Sequence, residues 1–112
     1  MLTTKELGNL KGNVRALGSR LVSLFNALGD TNRYKLFYLL LTAKGDICVS
    51  EFAEILNISV PAASQQLKSL EVSGLITKAR QGQQTCYHVN VEDPAVKMVV
   101  QAVKAQGVKH NS

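Results

Sequence analysis

Two short amphipathic segments separated by only three residues constrain this chain more than any other feature. Ser50 followed by Glu51 suits the start of the first, in which Phe52, Ile55 and Leu56 make the apolar face. Asn57-Ile58-Ser59 interrupts it, and Ser59 is placed to cap a second helix in which Pro61, early in the first turn, removes no interior hydrogen bond. Ala63, Leu67 and Leu70 then point inward and Gly74 supplies the C-terminal stop. Helices joined by so tight a turn predict a helix-turn-helix.

The residues after Gly74 narrow the fold further. Residues 75–80, the turn Gln81-Gly82-Gln83 and residues 84–90 read as a β-hairpin, with Thr85, Tyr87 and Val89 alternating with Cys86, His88 and Asn90. A hairpin directly after a helix-turn-helix is a wing, so the fold class is mainly α with a β-hairpin wing. Upstream, Leu7, Leu10, Val14, Leu17, Leu21, Leu24 and Leu28 recur in a 3-4-3-4 alternation, a helical seam that wants a partner helix. Gly12 and Gly18 each weaken such a helix by about 1 kcal/mol relative to alanine, which predicts a break near Gly18. After Gly29, Asp30 or Thr31 caps a helix through residues 32–41, where Leu36, Phe37, Leu39, Leu40 and Leu41 leave little polar face. Near the other end, Asp93-Pro94 opens a helix whose Val96, Val99, Val100 and Val103 form a second stripe, again expected to face a partner.

With 112 residues, 46% of them apolar and 19% charged, the chain has the size and composition of one folded domain, here residues 1–112 with a helical extension over 1–18 and a tail over 108–112. No run of eighteen apolar residues is present, which argues against a membrane span, and the first residues lack an export signal's apolar stretch. Two cysteines, Cys48 and Cys86, are too few for a disulfide framework and fit a reducing cytoplasm. No glycine-rich phosphate loop, metalloprotease His-Glu pair or nucleophile with a placed base occurs, so no catalytic residue is assigned and no enzyme is expected.

The formal charge is +5, and two copies would carry +10, favouring a polyanionic partner. On the second helix of the pair, Ser59, Val60, Ala62, Ser64, Gln65, Gln66 and Lys68 are not needed for packing. They are small, amide-bearing or basic groups suited to base edges and phosphates of the major groove, with Gln65 and Gln66 expected to read bases. Lys68, Lys78 and Arg80 are expected to hold phosphates, with Gln81, Gln83 and Gln84 completing the hairpin's polar tip.

The run Ala27-Leu28-Gly29-Asp30-Thr31-Asn32-Arg33, then residues 46–53 (DICVSEFA) and 59–68 (SVPAASQQLK), resembles the ArsR/SmtB family of dimeric winged-helix repressors over roughly residues 20–104. The resemblance implies a homodimer built from the first and last helices, double-stranded DNA with an inverted-repeat operator as partner, and release of that DNA by an inducer. It also implies sensing sites, and here the sequence departs from the pattern. The family's Cys-Val-Cys box stands as Cys48-Val49-Ser50, and a serine hydroxyl cannot replace the second thiolate for a soft metal. The last-helix metal positions fall at Asp93, Ala95, Gln106 and Lys109, three of which carry no usable ligand, so no metal or other cofactor is expected.

Three readings of the cysteines stay open. In a winged helix the extended residues around Cys48 pair with the second hairpin strand, which holds Cys86. The two thiols then form a redox or reactive-sulfur switch, or Cys48 is a small buried hydrophobe and Cys86 an incidental surface residue, or both join His88 in an unusual metal site. His88 otherwise reads as an ordinary exposed side chain, His110 as part of the tail, and Tyr34, Tyr38 and Tyr87 as core or rim packing. A winged helix also serves as a protein-interaction module, which would show large exposed apolar residues on the second helix; serine, glutamine, alanine and lysine with one valine favour DNA instead.

Overall fold

In the computed structural model, described here for residues 1–107, the elements run α1 (Thr4–Arg15), α2 (Arg20–Leu28), α3 (Thr31–Thr42), β1 (Ile47–Cys48), α4 (Val49–Leu56), α5 (Val60–Ser73), β2 (Ile76–Gln81), β3 (Gln84–Val89) and α6 (Pro94–Lys104). The tail, with Lys109 and His110, lies outside the described residues. None of the described helices is long and apolar enough to cross a membrane. The expected break near Gly18 separates α1 from α2 over residues 16–19.

The helix starts depend on side chains that satisfy free backbone N–H groups. Thr3 and Glu6 cap α1 reciprocally, at 3.1 and 2.9 Å, and those hydrogen bonds hold the Glu6 carboxyl below its usual range. Asp30 accepts from the N–H groups of Asn32 and Arg33 ahead of α3, and Ser59 from that of Ala62 ahead of α5. For α4 the start differs from expectation: Cys48, not Ser50, is the N-cap, because the Glu51 carboxylate reaches back to the Cys48 N–H at 2.9 Å. The helix therefore begins two residues early and Ser50 lies inside its first turn.

Leu24, Leu36, Phe37, Phe52, Leu67, Leu70, Leu75 and Val96 are wholly buried and, with Ile47, Ile76, Tyr87 and Val89 of the sheet, draw every element except α1 into one core. The long α3 packs on α2, α5 and β3, while α4 packs on α5, β1 and β3. On α4 the inward residues are Phe52 and Ala53 with Leu56 partly covered; Ile55, expected inside, is 55% exposed because it lies to the side of that face. The seam of the first two helices also divides. Leu24 turns into the core and Leu28 packs against it, whereas Leu7, Leu10, Val14, Leu17 and Leu21 are exposed, and α1 has no buried residue at all. On α6 the valine stripe finds its cover within the chain: Val96, Val99 and Val103 are buried with α2 against the helix, which leaves Met98 outside.

The sheet is antiparallel, in the order β1-β3-β2, and β3 is thus flanked on both edges. A two-residue turn, Gly82-Gln83, joins the wing strands; of the two only Gly82 has positive φ, at 65°, as in a type II′ hairpin.

Behind the wing, Arg20 at the start of α2 joins three elements. Its guanidinium donates to the Ser73 carbonyl at the end of α5, at 2.5 Å, and pairs with the carboxylate of Asp93, the N-cap of α6. Gly74 permits the approach: its φ of 90° suits glycine, and a Cβ there would sit 2.8 Å from an Arg20 nitrogen. The Arg20 hydrogen bond, helped by the Ala95 N–H and opposed by desolvation, holds the Asp93 carboxyl below its ordinary range. A depressed carboxylate pKa stabilises the fold above the unfolded value, about 3.9, and the contribution disappears as pH falls through the folded value. Asp93→Asn keeps the cap but not the charge. Wild type should exceed the variant in urea stability at pH 6–7, with the gap shrinking as the pH is lowered below the ordinary carboxylate range; a gap independent of pH would exclude the ionic contribution.

Candidate nucleic-acid interface

Helix α5 presents its side chains at about 100° per residue. Ala63, Leu67 and Leu70 hold one side in the core. Gln65 falls near the opposite pole, exposed, with Ala62 and Lys68 to either side. Val60, Ser64, Lys68 and Glu71 turn toward the wing and line a groove of about 520 Å³, whose other wall is Lys78, Gln84, Thr85 and Tyr87 and whose end is Val49 and Ser50. Gln66 lies on the other flank, away from the wing, and is only partly exposed. The two glutamines expected to read bases are therefore not equivalent.

Arg80, Gln81, Gln83 and Gln84 are exposed toward the hairpin tip. Lys78 is exposed too, but its ammonium lies 3.9 Å from the Glu71 carboxylate of α5, a contact between the two walls that sequence reasoning missed. Such an exposed pair contributes little to stability and opens readily. Its sequence signal was present only in hindsight, since an acid on α5 gains meaning once the wing folds against it. Tyr87 packs inward as expected, and its hydroxyl is pushed up in pKa by burial and then by Glu71. Tyr34 and Tyr38 also pack against the core, so none of the tyrosines is free to stack on bases. Exposed apolar side chains near the interface are Val60 and Val72 on α5 and Ile55 on α4.

Midway along the wing, Cys48 and Cys86 face each other across the β1–β3 ladder and form a disulfide. The expected burial is reversed: Cys86 is wholly buried and Cys48 partly exposed, because β3 is the central strand and β1 its edge. In this form neither sulfur is a thiolate that can bind a metal. His88, the third member of that arrangement, is 3.6 Å from Asp46, which also accepts a hydrogen bond from Gln81. Among the described residues no group of three His, Cys, Asp or Glu side chains is gathered for a metal, and Asp93 is engaged by Arg20.

A short capped helix, a left-handed Asn57 in the turn, a second helix stopped at Gly74 and a two-stranded wing directly after it define a winged helix-turn-helix protein. Residues 30–78 match the family model described as bacterial regulatory protein, arsR family. The chain is 32% identical over 75 residues to a putative arsenical resistance operon repressor of Halobacterium salinarum, a match covering 67% of this chain and 58% of that protein. The chain spans between 55% and 62% of the length of this relative and of two arsenic resistance regulators of Pseudomonas putida. Among solved structures, reduced HlyU from Vibrio cholerae superposes with a TM-score of 0.69 at 20% identity, over 90% of this chain and 98% of that one. A homodimeric winged helix-turn-helix DNA-binding domain from Mycobacterium bovis gives 0.64 at 22% identity, over 100% of this chain and 95% of that one. At these identities the structural likeness establishes the fold.

Proposed function

We propose that the chain is a homodimeric, sequence-specific DNA-binding transcriptional regulator that represses its target and is released by an inducer. The observation that carries the reading is the groove between α5 and the wing, where Ser64 and Lys68 face Lys78 and Gln84, with Gln65 exposed beside it on α5 and Arg80 and Gln83 exposed toward the hairpin tip. In this reading α5 enters the major groove, Ser59, Ala62, Ser64 and Gln65 meet base edges, and Lys68, Lys78 and Arg80 meet phosphates. Val60 is placed beside them to touch a thymine methyl. Gln66, on the far flank, has the poorer approach.

Self-association is supported by what the fold leaves uncovered. Leu7, Leu10, Val14, Leu21, Val22 and Phe25 in the first two helices, Leu17 between them and Met98 on α6 are exposed apolar side chains. A twelve-residue helix with no buried side chain is marginal in water by itself, so α1 calls for a second copy. Two copies would present two recognition helices and match an operator with inverted-repeat symmetry. The homodimeric state of the Mycobacterium bovis domain agrees with this reading.

The test is fluorescence anisotropy with a DNA fragment from upstream of the chain's own gene, titrated at several salt concentrations. A double replacement, Lys78→Ala with Arg80→Ala, should weaken binding on operator and random DNA alike. It should reduce the slope of log K against log salt by about 0.9 per lost phosphate contact, or about 3.6 for the four contacts of a dimer. An unchanged slope would remove both side chains from the phosphate-binding set.

A further inference from the structure

We propose that Cys48 and Cys86 form a thiol–disulfide switch whose oxidation by a low-molecular-weight disulfide lowers the affinity of the adjoining groove for operator DNA; the inference rests on the proposed DNA-binding function. The bond joins the α4 end of the groove to the middle of the wing wall. Cys48 caps α4, and the next two residues, Val49 and Ser50, line the groove. Cys86 lies between Thr85 and Tyr87, which line it from the wing, and is paired on its other side with Ala79, between Lys78 and Arg80 on β2. Without the bond, the wing is held to β1 by a ladder of two residue pairs and by the side-chain contacts of Asp46 with Gln81 and His88.

The unequal exposure of the sulfurs orders the chemistry. Only Cys48 is open to solvent, and its place at a helix N-terminus favours the thiolate, with the nearby Glu51 carboxylate opposing. The Cys48 thiolate attacks one sulfur of the small disulfide, forming a mixed disulfide and expelling the first small thiolate. The Cys86 thiol gives up its proton and attacks the Cys48 sulfur, expelling the second. The protein dithiol thus loses two electrons and two protons, and the small disulfide becomes two small thiols.

In the bonded form β3 is tied to β1, and Lys78 on the neighbouring strand lies 3.9 Å from the Glu71 carboxylate, which offsets a cation of the groove. Seating a duplex requires Lys78 to leave Glu71 and the hairpin to follow the phosphate backbone. A covalent link from β1 to the middle of the hairpin, opposite Ala79 and beside Lys78, opposes that adjustment, whereas the free thiols permit it.

The experiment uses the full chain and the upstream DNA fragment at one salt concentration, comparing protein reduced with dithiothreitol and protein oxidised with glutathione disulfide. Mass spectrometry checks the loss of two hydrogens and the absence of retained glutathione. Oxidation should weaken operator binding about tenfold, within the usual range of coupling between two sites, and reductant should restore it. Cys48→Ser, which puts a good N-cap residue at a partly exposed position, should bind like the reduced protein and ignore the oxidant, as should Cys86→Ala. Equal or tighter binding by the oxidised form, or a response that persists in Cys48→Ser, overturns the switch while leaving the DNA-binding reading in place. If the reduced protein shows no preference for the fragment over random DNA even at low salt, the DNA-binding reading fails, and the switch fails with it.

Discussion

Replacing Phe37 by alanine should cost about 3 to 5 kcal/mol of folding stability, a large part of the roughly 5 to 15 kcal/mol of a typical domain. Phe37 is wholly buried in α3, the helix on which α2, α5 and β3 converge. Truncation removes the transfer free energy of the ring and leaves a cavity that the surrounding elements cannot all close at once. Urea unfolding at fixed protein concentration measures the effect, read as a shift in midpoint with little change in slope. A loss below about 1 kcal/mol would mean that the site collapses freely, contrary to a close-packed core around α3.

Replacing Gln65 by alanine should cost about 1 to 3 kcal/mol of binding on the operator and little on random DNA, the cost expected when a bidentate amide contact to a base is lost. Gln65 is the amide nearest the exposed pole of α5, and its truncation removes nothing from the core. The readout is the ratio of operator to random-sequence affinity, which should fall while the salt slope stays constant. An equal loss on both DNAs would reassign Gln65 to the phosphate backbone. The same replacement at Gln66, partly covered on the opposite flank, should have the smaller effect on that ratio.

The elements of this fold were legible because their signals are local. Asp30, Ser59 and Asp93 cap helices as their residue types suggest, Gly74 ends α5 in a left-handed conformation, and Gly82 makes the hairpin turn. What was not legible is what covers each apolar stripe, because periodicity reports a face and not its partner. Both Leu7 and Leu24 belong to one 3-4-3-4 alternation, yet the first is exposed and the second wholly buried. The valines of α6 similarly face their own chain. The start of α4 was misplaced because Ser50 is the better intrinsic cap, while the Glu51 hydrogen bond selects Cys48. For the interface, the residue types were readable from the sequence, but their grouping was not: Glu71 opposite Lys78, and Cys48 opposite Cys86, depend on the register of a wing folded back on the helices.

The frame around α5 has a consequence for how such a molecule can change over generations. The helix is bounded by the left-handed Asn57 and the Ser59 cap before it and by the left-handed Gly74 after it, and Ala63, Leu67 and Leu70 anchor its inner side. Apart from the Ser59 hydroxyl, none of these groups is needed to read a base. If α5 reads DNA as proposed, substitutions at Ala62, Ser64 and Gln65 alter the preferred sequence without moving the helix that carries them. Recognition would then be a replaceable inscription on a fixed support, so a new binding preference requires few steps and little sacrifice of foldedness.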